Sequence, residues 1–111
     1  MRIKIKKFCR DIEIKRFERG KGYETILIFA EIYNAKHIGY FLIKENTMMT
    51  KGGIAKHIRD LKIPKVEMVA PPPPSTNALL MIRLSDGYDK SLLIELGEKI
   101  FEYLSSKGLL D

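Results

Sequence analysis

Hydrophobic and polar residues alternate from the start of the chain. Ile3 and Ile5 interleave with Arg2, Lys4 and Lys6, the period of two that belongs to a half-buried strand. The phase then slips, because Ile12 and Ile14 fall on even positions. One extra residue between Lys7 and Arg10 would restore a common inward face as a β-bulge; a tight hairpin is the other solution. Gly20-Lys21-Gly22 follows as a turn. Residues 23–33 read as the next strand, with Ile26, Ile28, Ala30 and Ile32 on one side and Leu27 and Phe29 on the other. Two partly apolar sides indicate a central strand. Asn34 to His37 then reads as a hairpin connection leading to a returning strand over 38–44.

The period changes after Thr50. Ile54, Ile58 and Leu61 fall at i, i+4 and i+7, one face of a helix, and Pro64 ends the pattern. Residues 66–70 form a short strand, the four prolines at 71–74 a stiff connector, and 78–84 an almost continuously apolar strand. The last element is the clearest. Leu93, Leu96, Gly97, Ile100, Phe101 and Leu104 make one helical stripe, opposite Glu95, Glu98, Lys99 and Glu102. Asp86 or Asp89 caps its start, and Gly108 stops it. The pattern predicts an α+β fold over residues 1–111, one domain: a mostly antiparallel sheet of about five strands with two helices on one face, in the order β-β-β-α-β-β-α.

Length and composition narrow the class. A chain of 111 residues with 45% hydrophobic content is long enough for one core and too apolar for disorder. It has no apolar run of the ~20 residues a membrane span needs, and the single cysteine, Cys9, suits a reducing cytoplasm. Fifteen Ile, no Gln and three Asn among many Lys and Glu match the hyperthermophile trend. A thermophilic source, archaeal or of an archaeal virus, is the expectation.

Charge changes the picture further. The net +6 is concentrated in residues 1–22, which hold nine Lys and Arg against three acids. Arg2, Lys4 and Lys6 should project to one side at roughly 6.6 Å intervals, with Arg10 and Lys15 continuing the excess. Such a ribbon suits the phosphates of DNA or RNA. It equally suits an edge strand defended against aggregation. Lys56 and Arg59, away from the apolar stripe of the first helix, would extend the basic surface, and so would Lys51. Lys51, Gly52 and Gly53 at that helix's start also form a candidate anion site, since exposed amides and the helix dipole favour negative charge there. The phosphate-loop pattern itself is missing.

Phe8 and Phe17 within the basic segment, and Tyr23, Phe29, Tyr33, Tyr40 and Phe41 on or beside the hairpin, are candidate base-stacking rings; core packing is the simpler reading for most, and Phe8 and Tyr23, beside lysines, are the foremost candidates. Asp11 and Glu13 alternate as nuclease carboxylates do, but cross-strand ion pairing with the lysines is simpler. Two histidines and one cysteine supply no metal-ligand spacing, and no triad or cofactor motif is visible. The reading that follows is a small non-enzymatic nucleic-acid-binding protein without metal or cofactor. It is expected to act as a homodimer, because two helices cover only one of two apolar sheet faces. An assembly subunit using its sheet face or edge, and a phosphate-ligand protein or enzyme using Gly52 and Gly53, are the rival classes.

Overall fold

The computed structural model describes residues 1–30 and 47–108, with 47–51 described by backbone alone. Five strands form one antiparallel sheet: β1 (Arg2–Ile5), β2 (Arg10–Gly20), β3 (Tyr23–Ala30), β4 (Val66–Ala70) and β5 (Leu80–Ser85). Their spatial order is β1-β2-β3-β5-β4. Helix α1 (Thr47–Asp60) precedes β4, and α2 (Lys90–Ser106) ends the order β-β-β-α-β-β-α. The strand expected over 38–44 lies outside the described residues. No helix among the described residues is long and apolar enough to cross a membrane.

The phase slip near the start is a hairpin rather than a bulge. A 3-10 turn over Lys6–Phe8 and a left-handed Cys9 (φ 52°) reverse the chain. Antiparallel pairing then sets Ile3 beside Ile12, so odd positions of β1 and even positions of β2 share one face. A bulge does occur farther along β2: register shifts between Arg16 and Glu18, leaving Phe17 as the extra residue.

One face of the sheet carries the core. Ile3, Ile5, Ile12, Ile14, Ile26 and Ile28 pack there with Leu80, Ile82 and Leu84 against both helices. Helix α2 contributes Leu92, Leu93, Leu96, Gly97, Ile100, Phe101 and Leu104, the expected stripe with Leu92 added. Asp89 caps it, accepting a hydrogen bond from the Leu92 amide at 3.3 Å, and a left-handed Gly108 (φ 70°) stops it. Helix α1 supplies Ile54, Ala55 and Ile58. Leu61, expected on that stripe, is 41% exposed. The helix ends at Asp60 and Lys62 turns left-handed, so Ile63 takes the buried place instead.

The opposite, outer face holds the residues of the other phase. Arg2 and Lys4 lie there, with Asp11, Glu13 and Lys15 of β2, Thr25, Leu27 and Phe29 of β3, and Met81 and Arg83 of β5. Both helices pack on the core face, so neither covers this one.

Candidate nucleic-acid interface

The strand register decides which cations are compensated. On the outer face Arg2 pairs across from Glu13 and Lys4 from Asp11. Arg2 reaches Asp11 at 3.9 Å and Lys15 reaches Glu13 at 3.6 Å, so these carboxylates serve as ion-pair partners. Lys7 donates to Glu102 of α2 at 3.1 Å, where Lys99 also lies 3.6 Å away. Arg16 binds Glu24 at 2.6 Å. Lys4, Lys6 and Lys21 are exposed and, among the described residues, hold no ion pair. Exposed Arg19 sits across from Glu24 in the register and adds to the field on that carboxylate. Lys4 and Lys6 lie at one end of β2 and Lys21 at the other. Those ends are separated by about 30 Å, ten residues at ~3.3 Å rise.

Aromatic rings lie between these ends. Lys15 Nζ sits 5.3 Å from the centre of the Phe29 ring, and the Arg83 guanidinium 4.5 Å from that of Tyr23. The Tyr23 hydroxyl donates to Glu18 Oε1 at 2.9 Å, and that bond raises the phenol's pKa. Gly20, directly across from Tyr23, lets this ring lie down: a Cβ there would collide with the ring and its hydroxyl. Beside the ring, Thr25 Oγ1 and Arg83 Nε are buried and, among the described residues, have no hydrogen-bond partner. Phe17 is 47% exposed. Phe8, one of the two foremost candidate rings, packs 5.7 Å from Phe101 against the core.

A second cluster was not legible as a site. Arg16 and Glu24 occupy the inward phase of β2 and β3, where the pattern otherwise places Ile. Glu24 has a side chain only 12% exposed and accepts from Arg16 and from the Tyr88 hydroxyl, the latter at 3.0 Å. Burial pushes its pKa up; hydrogen bonds from Arg16 and Tyr88 and the fields of Arg16 and Arg19 outweigh this and hold it below the ordinary carboxylate range. Ile14, Ile26 and Met1 complete a cleft of about 290 Å³ around these groups. The clue in the sequence is a charged residue at each of two core-phase positions on neighbouring strands.

The sign of the resulting linkage is fixed. A depressed folded-state pKa contributes stability above the unfolded value, near 4.3 for Glu, and that stability is lost as pH falls through the folded value. Glu24→Gln should thus lower the melting temperature at pH 7, with the gap from wild type closing as the pH falls below about 4. Melting curves of both proteins across that range check it. A gap that stays constant would show that ionisation of Glu24 contributes nothing.

The sequence-predicted residues do not form one surface. Arg2, Lys4 and Lys15 share the outer face; Lys6 sits in the adjoining turn. Arg10 pairs with Ile5 at the core-facing phase. Lys56 and Arg59 are exposed on α1, on the helix side of the sheet, and the Lys51 side chain lies outside the described residues. The His57 ring packs 5.0 Å from the Tyr103 ring of α2, centre to centre. The anion site expected at Lys51, Gly52 and Gly53 also changes character. Helix α1 begins at Thr47, so both glycines lie within it rather than at its start, and helical hydrogen bonding occupies amides beyond the first turn. Gly53 instead permits close helix packing: a Cβ there would lie 2.5 Å from the Tyr103 hydroxyl.

Cys9 is exposed, its thiol 3.7 Å from the Lys6 carbonyl. Among the described residues no group of three or more His, Cys, Asp and Glu is placed to hold a metal ion. No protein-family model matches the chain, and neither a curated protein nor a solved structure shows significant similarity to it.

Proposed function

We propose that this chain is a nucleic-acid-binding protein, taking the phosphate backbone across the outer face of its sheet. Lys4 and Lys6 would hold one end of the contact, and Lys21 the other. The observation that carries the reading is the placement of Lys4, Lys6 and Lys21, which among the described residues hold no ion pair, at the two ends of β2, on the rim of a sheet face that neither helix covers. Acids from the fold neutralise Arg2, Lys7, Lys15 and Arg16, so these contribute less than their number in the sequence suggests. Lys56 and Arg59 lie on the other side and take no part.

Counterion release makes the test quantitative. Wild type should retard DNA or RNA with an affinity that falls linearly in log–log salt, by a slope of about −0.9 per duplex phosphate or −0.7 per single-strand phosphate contacted. Replacing Lys4, Lys6 and Lys21 together by Glu should flatten that slope by about 2 to 3. A salt-independent interaction, or a slope the triple variant leaves unchanged, overturns the reading.

A second reading draws on the same face. Leu27 is buried and Phe29, Met68, Ala70 and Met81 half-buried at its centre, inside a charged rim, the layout of a protein-docking surface. The partner on this reading is a second copy of the chain. Light scattering would then give a dimer mass that persists at high salt, and Leu27→Glu would reduce it to the monomer.

A further inference from the structure

Phe17 is the residue whose exposure the fold does least to explain. It is the extra residue of the β2 bulge, so its position is set by backbone geometry and not by chance along a regular strand. Its neighbours are both pinned: Arg16 inward to Glu24, and Glu18 on the outer face by the Tyr23 hydroxyl. Between them the ring stands 47% exposed, while Phe8, Phe29 and Phe101 are buried or half-buried. Lys21 follows it in the turn, and Tyr23 lies on the adjacent strand, across from Gly20.

We infer that Phe17 is the stacking platform for an unpaired nucleobase, which makes the bound strand single-stranded at this point. This rests on the phosphate contacts proposed above and adds the class of nucleic acid taken. An aromatic face accepts any base, because every base has a π-face of its own. The bases of a duplex are already stacked inside it and cannot reach the ring. A strand following β2 would set its phosphates on the cations at either end and turn a base onto Phe17. Tyr23 is the less available ring, with Arg83 against it and its hydroxyl engaged.

The experiment compares wild type, Phe17→Ala, Phe17→Tyr and the triple Lys-to-Glu variant on a labelled oligothymidylate and on a random-sequence duplex, each across a salt series. Phe17 is exposed and outside the core, so all versions at this position should melt as wild type does. Loss of one stacked base should weaken oligothymidylate binding by roughly 5- to 150-fold. The salt slope and duplex binding should not change with it, and Tyr should restore affinity. If wild type binds and Phe17→Ala binds the single strand equally well, the stacking site is overturned while the phosphate reading stands. Equal losses on both probes overturn the single-strand assignment. Failure of wild type to bind either probe overturns the phosphate reading and this one with it. A fall in oligomer mass with unchanged oligonucleotide affinity assigns the ring to a protein contact and likewise overturns the proposal.

Discussion

Ile100→Asp should leave no folded protein at neutral pH. Ile100 is fully buried in the stripe of α2, and among the described residues the side chains buried on this face of the sheet are apolar. The substitution removes ~1.5–3 kcal/mol of apolar burial and asks a carboxylate to enter a space with no donor for it. Desolvating an unpaired charge costs several kcal/mol even after relaxation. Together these approach the whole stability of a small domain, about 5–15 kcal/mol. Circular dichroism should show the helix signal lost without a cooperative thermal transition. The control lies on the same helix. Glu102 meets Lys7 and Lys99 at the surface, and Glu102→Ala should stay within about 1 kcal/mol of wild type, as exposed pairs do. A cooperative melt for Ile100→Asp near the wild-type temperature would mean that α2 does not seat this face in the core.

That contrast explains what could be read from the residues alone. The stripe of α2, the alternation of β3 and the order of elements are periodicities, and burial of one face enforces them over many residues at once. Single-residue devices carry no such redundancy. The slip between Ile5 and Ile12 fits a bulge or a hairpin equally, and only the left-handed Cys9 and the 3-10 turn decide it. Helix α1 starts at Thr47, ahead of the point where the apolar spacing begins, so Gly52 and Gly53 looked like an entrance when they are interior. Charge was the least legible property. Nine cations in the first 22 residues are visible in the sequence, but which of them Glu24 and Glu102 neutralise depends on contacts 8 and 95 residues away. The same register brings Phe17 out at the bulge, which no periodicity marks.

Gly97→Leu should be nearly as damaging as a buried charge, for a steric reason. A glycine in the middle of a helix costs about 1 kcal/mol relative to Ala, so its presence in α2 needs a compensating contact. A Cβ at this position would lie 2.7 Å from Ile5 Cδ1 and 2.8 Å from Ile12 Cδ1. The missing side chain is what lets α2 rest on β1 and β2. With Ala, the gain in helix propensity offsets much of the ~1–3 kcal/mol of overpacking, and the net loss should be small. Leu adds three more carbons where none fit, and the helix must lift from the sheet. Strand β1 lies at one edge of the sheet among the described residues, and Ile3 and Ile5 are its buried anchors, so it should detach first. Hydrogen exchange would register this as lost protection across Arg2–Ile5, and denaturant unfolding as a drop of at least ~3 kcal/mol, beyond the usual range for a single substitution. Because β1 carries Lys4 and leads into Lys6, its release should also remove one end of the proposed phosphate contact. The steric cause can be isolated with a smaller pair. Ile5→Val deletes the nearest clashing methyl, and alone should cost about 0.5–1.5 kcal/mol. In the Gly97→Ala background it should cost less, because it also relieves the clash, with a coupling of about 0.5 kcal/mol or more between the two sites. Strict additivity would show that α2 does not approach β1 as closely as the backbone of Gly97 implies.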